Sequence, residues 1–182
     1  MCIRDSLLGD FIAGADLINL SDEIKLGLEN HKLVDRFTDS HPSLLPLKSI
    51  ISKDRRRFLG IISDVVFDYF LIKHWQSFSE HDLDNFVQDV YQKVESVIPL
   101  MHERMARAMR FMLDENGLLV NQNLEGVGKT LNRLSQRIRF ENKLMGAIEE
   151  VEAHYDAFES AFLTLFPALI EAVETSRIEK DD

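Results

Sequence analysis

Between Phe58 and Trp75 nearly every side chain is apolar: Phe58, Leu59, Ile61, Ile62, Val65, Val66, Phe67, Tyr69, Phe70, Leu71 and Ile72. A helix that is hydrophobic all the way round is stable only when other helices cover it, so the stretch predicts the central member of a helical bundle. Asp64 and Asp68 interrupt it one turn apart, on the face of Ile61, Leu71 and Trp75. Two neighbouring carboxylates in such surroundings repel each other, and each costs on the order of several kcal/mol unpaired. A divalent cation would remove both penalties. So would a basic neighbour such as Lys73 or Arg57, the latter two turns earlier on the same face.

A second helix carries the same kind of misfit. Ser21, Asp22 and Glu23 read as a helix start, with a capping hydroxyl and two acids at the positive end of the helix dipole, and the helix runs to about Asp39. Lys25, Glu29, Lys32 and Arg36 form its solvated stripe. His31 and Asp35 lie off that stripe, about 40° apart, on the face of Leu20, Ile24 and Leu28, with Thr38 continuing it. The face is expected to turn toward the core. A hydrogen-bonded His–Asp pair satisfies that expectation, and so does a metal or catalytic site. Three aspartates and a histidine are hard, oxygen-rich ligands suited to Mn²⁺, Mg²⁺ or Fe²⁺.

The chain has 182 residues, 45% of them hydrophobic, which is enough for one domain with a substantial core. Its formal net charge of −10 argues against nonspecific nucleic-acid binding. Cys2 is the single cysteine, so a disulfide and a thiolate metal site are both excluded within the chain, and a reducing cytoplasm suits it. No run of 18 apolar residues and no signal peptide is found, so no membrane span is expected.

The remaining elements follow the same 3.6-residue period, and no strand pattern or internal repeat interrupts it. Leu7 to Leu20 reads as a short apolar helix containing Asp10. His41-Pro42 ends the first long helix, Pro42 to Ser52 connects, and Asp54-Arg55-Arg56-Arg57 opens the apolar one. Ser79-Glu-His-Asp82 resembles a capping box at the head of a helix with Leu83, Phe86, Val87, Val90, Val94 and Val97 inside, interrupted at Pro99. Met101, Met105, Met109 and Met112 read as core, with Arg104, Arg107 and Arg110 between them as a contact surface for an acidic partner. A turn at Asp114–Gly117 precedes a helix over about Leu124–Ile138. Its Gly126-Val-Gly128-Lys129-Thr130 fails as a phosphate loop, because Asn123 stands where the first glycine belongs and no strand precedes it. A last helix is expected over about Glu141–Arg177, with Pro167 as a possible kink.

With these residues in view, the chain resembles the bacterial acyl carrier protein phosphodiesterases, also called acyl carrier protein hydrolases. The resemblance rests on Gly9-Asp10-Phe11 with Gly14, on His31 with Val34-Asp35 and Thr38-Asp39 before Pro42, on Asp64 with Asp68, Leu71, His74 and Trp75, and on Ala153-His154-Tyr155-Asp156-Ala157 with Phe166-Pro167. It implies an all-α, single-domain bundle related to the HD-type metal-dependent phosphohydrolases. It also implies hydrolysis of 4′-phosphopantetheine from holo acyl carrier protein to give the apo form, usually with manganese.

Asp10, His31, Asp35, Asp64 and Asp68 are the expected ligands, and Asp39 and His74 are expected to orient water or protonate the leaving group. Residues 7–178 are taken as the domain and residues 1–6 as unrelated sequence; the Leu-, Ala- and His-rich segment with which such proteins begin finds no counterpart here. Two other readings stay open. One is a phosphohydrolase acting on a small phosphoester or nucleotide, and the other is a non-catalytic helical module that binds carrier protein.

Overall fold

The computed structural model describes residues 22–176. The expectations for Asp10, for a helix over 7–20, for the Ser21 cap and for residues 1–6 lie outside them.

Among the described residues the chain is all helical, as the period predicts: α1 Asp22–Ser40, α2 Leu44–Ile50, α3 Leu59–Lys73, α4 Trp75–Phe78, α5 Leu83–Val97, α6 Glu103–Asp114, α7 Leu124–Arg137, α8 Ile148–Ala153 and α9 Tyr155–Ser176. Single turns of 3₁₀-helix at Arg56–Phe58, Ile98–Leu100 and Gly117–Leu119 join some of them. α3 is the axis, packed against α7 and α9, and α9 also covers α1 and α2. Ile62, Val66 and Phe70 of α3 are fully buried, against a shell that includes Val127, Leu131, Phe158 and Phe162. A second core, Val90, Val94, Ile98, Met105, Ala106 and Met109, holds α5 to α6, so Met105 and Met109 are interior as expected.

Pro99 lies in the 3₁₀ turn that separates α5 from α6 and breaks the helix there, since it offers no N–H to continue it. At the next corner Asn116 adopts a left-handed conformation (φ 51°) and Gly117 lies so close to α6 that a Cβ would stand 2.6 Å from Met112 Cγ. Gly126 and Gly128 are packing glycines. A Cβ on the first would overlap the Val120 carbonyl, and on the second it would press on Ile148. Asn123 caps α7 by accepting from the Gly126 N–H at 2.8 Å, so the Gly-x-Gly-Lys-Thr stretch is a helix and no phosphate loop.

Two expectations are corrected. The cap of α5 is Asp82, whose carboxylate accepts from the Asn85 N–H at 3.1 Å, three residues later than the Ser79 capping box. Ser79 is extended and accepts from the His81 N–H instead. The last helix is also divided. Residues 138–147 are irregular, Gly146 has φ 71°, and α8 and α9 are separated at His154. Asn142 holds the irregular stretch, bonded to Ser135 and to the Phe140 carbonyl, so backbone groups that a continuous helix would have satisfied find partners there.

Candidate active site

α1 and α3 each carry two aspartates one turn apart, Asp35 with Asp39 and Asp64 with Asp68. The helices meet where α3 has no side chain: a Cβ on Gly60 would be 3.7 Å from Asp39 Oδ1. Gly60, Asp64 and Asp68 fall on one stripe at four-residue spacing, so Asp39 sits one turn before Asp64 along it.

The two pairs share one field. The surrounding protein displaces water from Asp64 and, together with the charges of Asp39, Asp68 and Asp35, raises its pKa from 3.8 to about 6. Desolvation raises Asp68 to about 6 as well, opposed by a hydrogen bond from Asn121. All four carboxylates nevertheless reach solvent, and His31, paired with Asp35 at 3.4 Å, is half-buried. The sequence expectation of a face turned into the core is therefore corrected. The acids line an accessible surface between two helices, and the cost of crowding them shows in their proton affinity.

Arg57 and Lys73, the candidates for neutralising the aspartates, are both engaged elsewhere. Arg57 donates to the Glu141 carbonyl and lies 4.6 Å from the Phe58 ring centroid. Lys73 donates to Glu159 at 2.6 Å and to the Tyr155 hydroxyl at 2.7 Å. His74 belongs to this second group: its Nε2–H donates to the same Glu159 oxygen at 2.6 Å, and its ring stacks on Phe70 and Phe162. The Lys73 bond is the first of the contacts that hold the Glu159 carboxyl below its ordinary range. Desolvation, with the hydrogen bond to Tyr155, pushes Tyr69 up to about 12. The structure thus brings Asp35, Asp39, Asp64 and Asp68 together with His31 beside them, and places His74 in a hub that ties α3 to α9.

Sequence reasoning missed Asn121. Its side chain is buried, its Nδ2 donates to Asp68 Oδ2 at 3.2 Å, and its Oδ1 accepts from Thr130 Oγ1 at 2.8 Å. Thr130 fixes the amide so that its donor faces the carboxylate. Nothing local in Asn121-Gln-Asn123 signals this, because the partners lie on other elements.

The acids suit a hard divalent cation chemically, and their mutual repulsion is what such an ion would relieve. Among the described residues, however, no three His, Cys, Asp or Glu side chains stand close enough to share one ion.

The comparisons decide the family. The family described as acyl carrier protein phosphodiesterase matches residues 2–169. The chain belongs to the acyl carrier protein phosphodiesterase family. It is 27% identical over 174 residues to the acyl carrier protein phosphodiesterase of Pectobacterium atrosepticum, covering 95% of this chain and 90% of that one. The like-named proteins of Photorhabdus laumondii and Escherichia coli O6:H1 are each 25% identical over 170 residues, 93% of this chain, and 86% and 88% of theirs. No solved structure matches the chain. Family membership makes it an enzyme of the phosphodiester hydrolase class. No described helix is long and apolar enough to cross a membrane.

Proposed function

We propose that the chain hydrolyses the phosphodiester joining 4′-phosphopantetheine to a serine of holo acyl carrier protein. Water attacks phosphorus, the bond from phosphorus to the serine oxygen breaks, and apo carrier protein and free 4′-phosphopantetheine leave. The observation that carries this reading is the meeting of two aspartate pairs across α1 and α3, with Asp64 and Asp68 raised to about 6. The raised proton affinity of the two records the loss of water around them and, at Asp64, the repulsion of crowded carboxylates, which a bound cation would relieve. Asp39, whose carboxylate lies over Gly60, stands exposed at the end of the face nearest the start of α3, where an attacking water or the leaving group could reach it. His74 acts through Glu159, as a positioning residue that holds α3 against α9.

Mn²⁺ is the cofactor this reading calls for, with Mg²⁺ or Fe²⁺ as substitutes; Asp10, His31, Asp35, Asp64 and Asp68 would hold it only in an arrangement other than the one described, in which no three of the described side chains could share an ion. Such an ion, if held there, would supply polarisation of the phosphoryl oxygen and a water of lowered pKa. Arg104, Arg107 and Arg110 are exposed on α6, Arg107 paired with Glu103, and form a local cationic surface on a chain of net charge −10. That surface suits an acidic carrier protein. The setting proposed is the cytoplasm, with neither nucleic acid nor membrane as partner.

The test is a panel of phosphoesters offered with and without holo carrier protein, in Mn²⁺. Turnover that requires the carrier protein supports the reading. Equal turnover of small phosphoesters or nucleotides alone assigns the site to a small substrate instead. Asp64→Ala and Asp35→Ala should each abolish release of the prosthetic group.

A further inference from the structure

Beside the acidic face, the structure holds a pocket of about 180 Å³ whose wall includes Asp68 and is otherwise apolar, with Leu71, Trp75, Leu83, Phe86 and Leu118 contributed by α3, α4, α5 and the turn after α6. Asp68 belongs to both places. A group bonded to phosphorus at the carboxylates therefore enters the pocket within a few bonds, and what it can be is restricted by the walls.

The pocket supplies few polar contacts. The indole N–H of Trp75 is already given to the His81 carbonyl at 2.7 Å, and its ring packs on Phe86 with centroids 4.8 Å apart. An amide or hydroxyl buried there would lose water without gaining a partner. A compact hydrocarbon would lose nothing, and a cavity of about 150 Å³ is known to hold a benzene-sized group.

In 4′-phosphopantetheine the ester methylene next to the phosphate bears a quaternary carbon with two methyl groups, followed by a hydroxyl and two amides. The branched hydrocarbon is the part nearest phosphorus, and the polar remainder and any acyl group lie farther out. We propose that this pocket receives the gem-dimethyl end of the phosphopantetheine arm, so that the phosphate beside it is set against Asp64 and Asp68. This rests on the hydrolase reading and adds how the arm is recognised: through its branched alkyl group next to phosphorus, independently of what the thiol carries.

Trp75 is the chain's single tryptophan, so its fluorescence reports on the pocket directly. The experiment titrates the full chain with 4′-phosphopantetheine, pantetheine and an analogue of each with hydrogens in place of both methyls. In parallel, kcat/KM is measured on carrier protein bearing the natural or the methyl-free arm. The expected result is a saturable change of Trp75 emission for both natural ligands, and a loss of about tenfold or more in affinity and in kcat/KM without the methyls.

Leu118→Phe, which fills the pocket from the half-buried wall, should weaken binding and raise KM. Leu83→Phe serves the same purpose should the first variant fold poorly. Hydrolysis of holo carrier protein with no Trp75 response and equal kcat/KM for both arms would overturn the pocket assignment and leave the hydrolase reading standing. Methyl-dependent binding of pantetheine without hydrolysis of holo carrier protein would support the pocket and overturn the hydrolase reading.

Discussion

Asn121 donates its side-chain amide to the carboxylate of Asp68, 3.2 Å away, across the seam between the end of the 3₁₀ turn and α3. The bond opposes the desolvation that raises Asp68, and Thr130 keeps the amide oriented. Hydrogen-bond partners of metal-ligating residues, the role proposed for Asp68, are commonly worth about 10- to 100-fold in metal affinity or activity. Asn121→Ala should therefore lower kcat by about tenfold or more and move the acid-side limb of the pH–rate profile to higher pH, since Asp68 loses the contact that favours its charged form. Asn121→Asp, which adds a carboxylate beside Asp68, should shift that limb further. A loss of stability with an unmoved profile would make Asn121 structural only.

Asp64 offers a test that separates stability from activity. Its pKa is higher folded, about 6, than its ordinary 3.8, so the folded state favours the protonated form. The sign follows: stability from this group is complete below about pH 4 and is lost as pH rises through about 6. In chelator-treated protein Asp64→Asn should thus be more stable than the parent at pH 7, by about 1 kcal/mol once the shift is discounted for solvent screening, and equally stable at pH 4. The same variant should have no measurable hydrolase activity, a site whose function is kept at the expense of stability. Thermal denaturation across that pH range measures the first part.

The Glu159 hub behaves oppositely. Its carboxyl is held low by Lys73 and His74, so its contribution is present above about pH 4.5 and is lost as pH falls through its folded value. Glu159→Gln should cost about 1–2 kcal/mol at pH 7, because Lys73 and the half-buried His74 lose a charged acceptor, and the difference should narrow in acid. Denaturant titrations at pH 7 and pH 4 compare the two.

Ser63 lies directly before Asp64, fully buried, and its hydroxyl has no hydrogen-bond partner among the described residues. A buried hydroxyl left unsatisfied is a penalty that alanine removes without changing the packing volume much. Ser63→Ala is expected to leave the melting temperature unchanged or raise it by a few degrees, with activity retained. A fall equivalent to about 1 kcal/mol or more would mean that the hydroxyl has a partner in solution.

Much of this architecture is legible in the chain itself, because helical period and punctuation are local properties. The apolar run from Phe58 to Ile72 could only be the axis, and the four-residue spacing of Asp35 with Asp39 and of Asp64 with Asp68 put each pair on one face. Period alone cannot tell whether such a face looks into the core or into an open seam, and here it reaches solvent. The break before α8 is marked by Gly146, whose positive φ suits a glycine, but the apolar residues around it follow a helical period. Asn121 and Glu159 were not readable. Each finds its partner far along the chain, 53 and 85 residues away, respectively, and nothing nearby in sequence marks the contact.

The paired aspartates of α1 and α3 are proposed to remove a prosthetic group from a carrier protein. The most direct measurement is the mass of holo acyl carrier protein after incubation with this protein and Mn²⁺, read beside chelator-treated and Asp64→Asn controls. The expected result is conversion to the apo mass with free 4′-phosphopantetheine in solution, in the untreated sample alone. Holo carrier protein of unchanged mass, or equal conversion by Asp64→Asn, would contradict it.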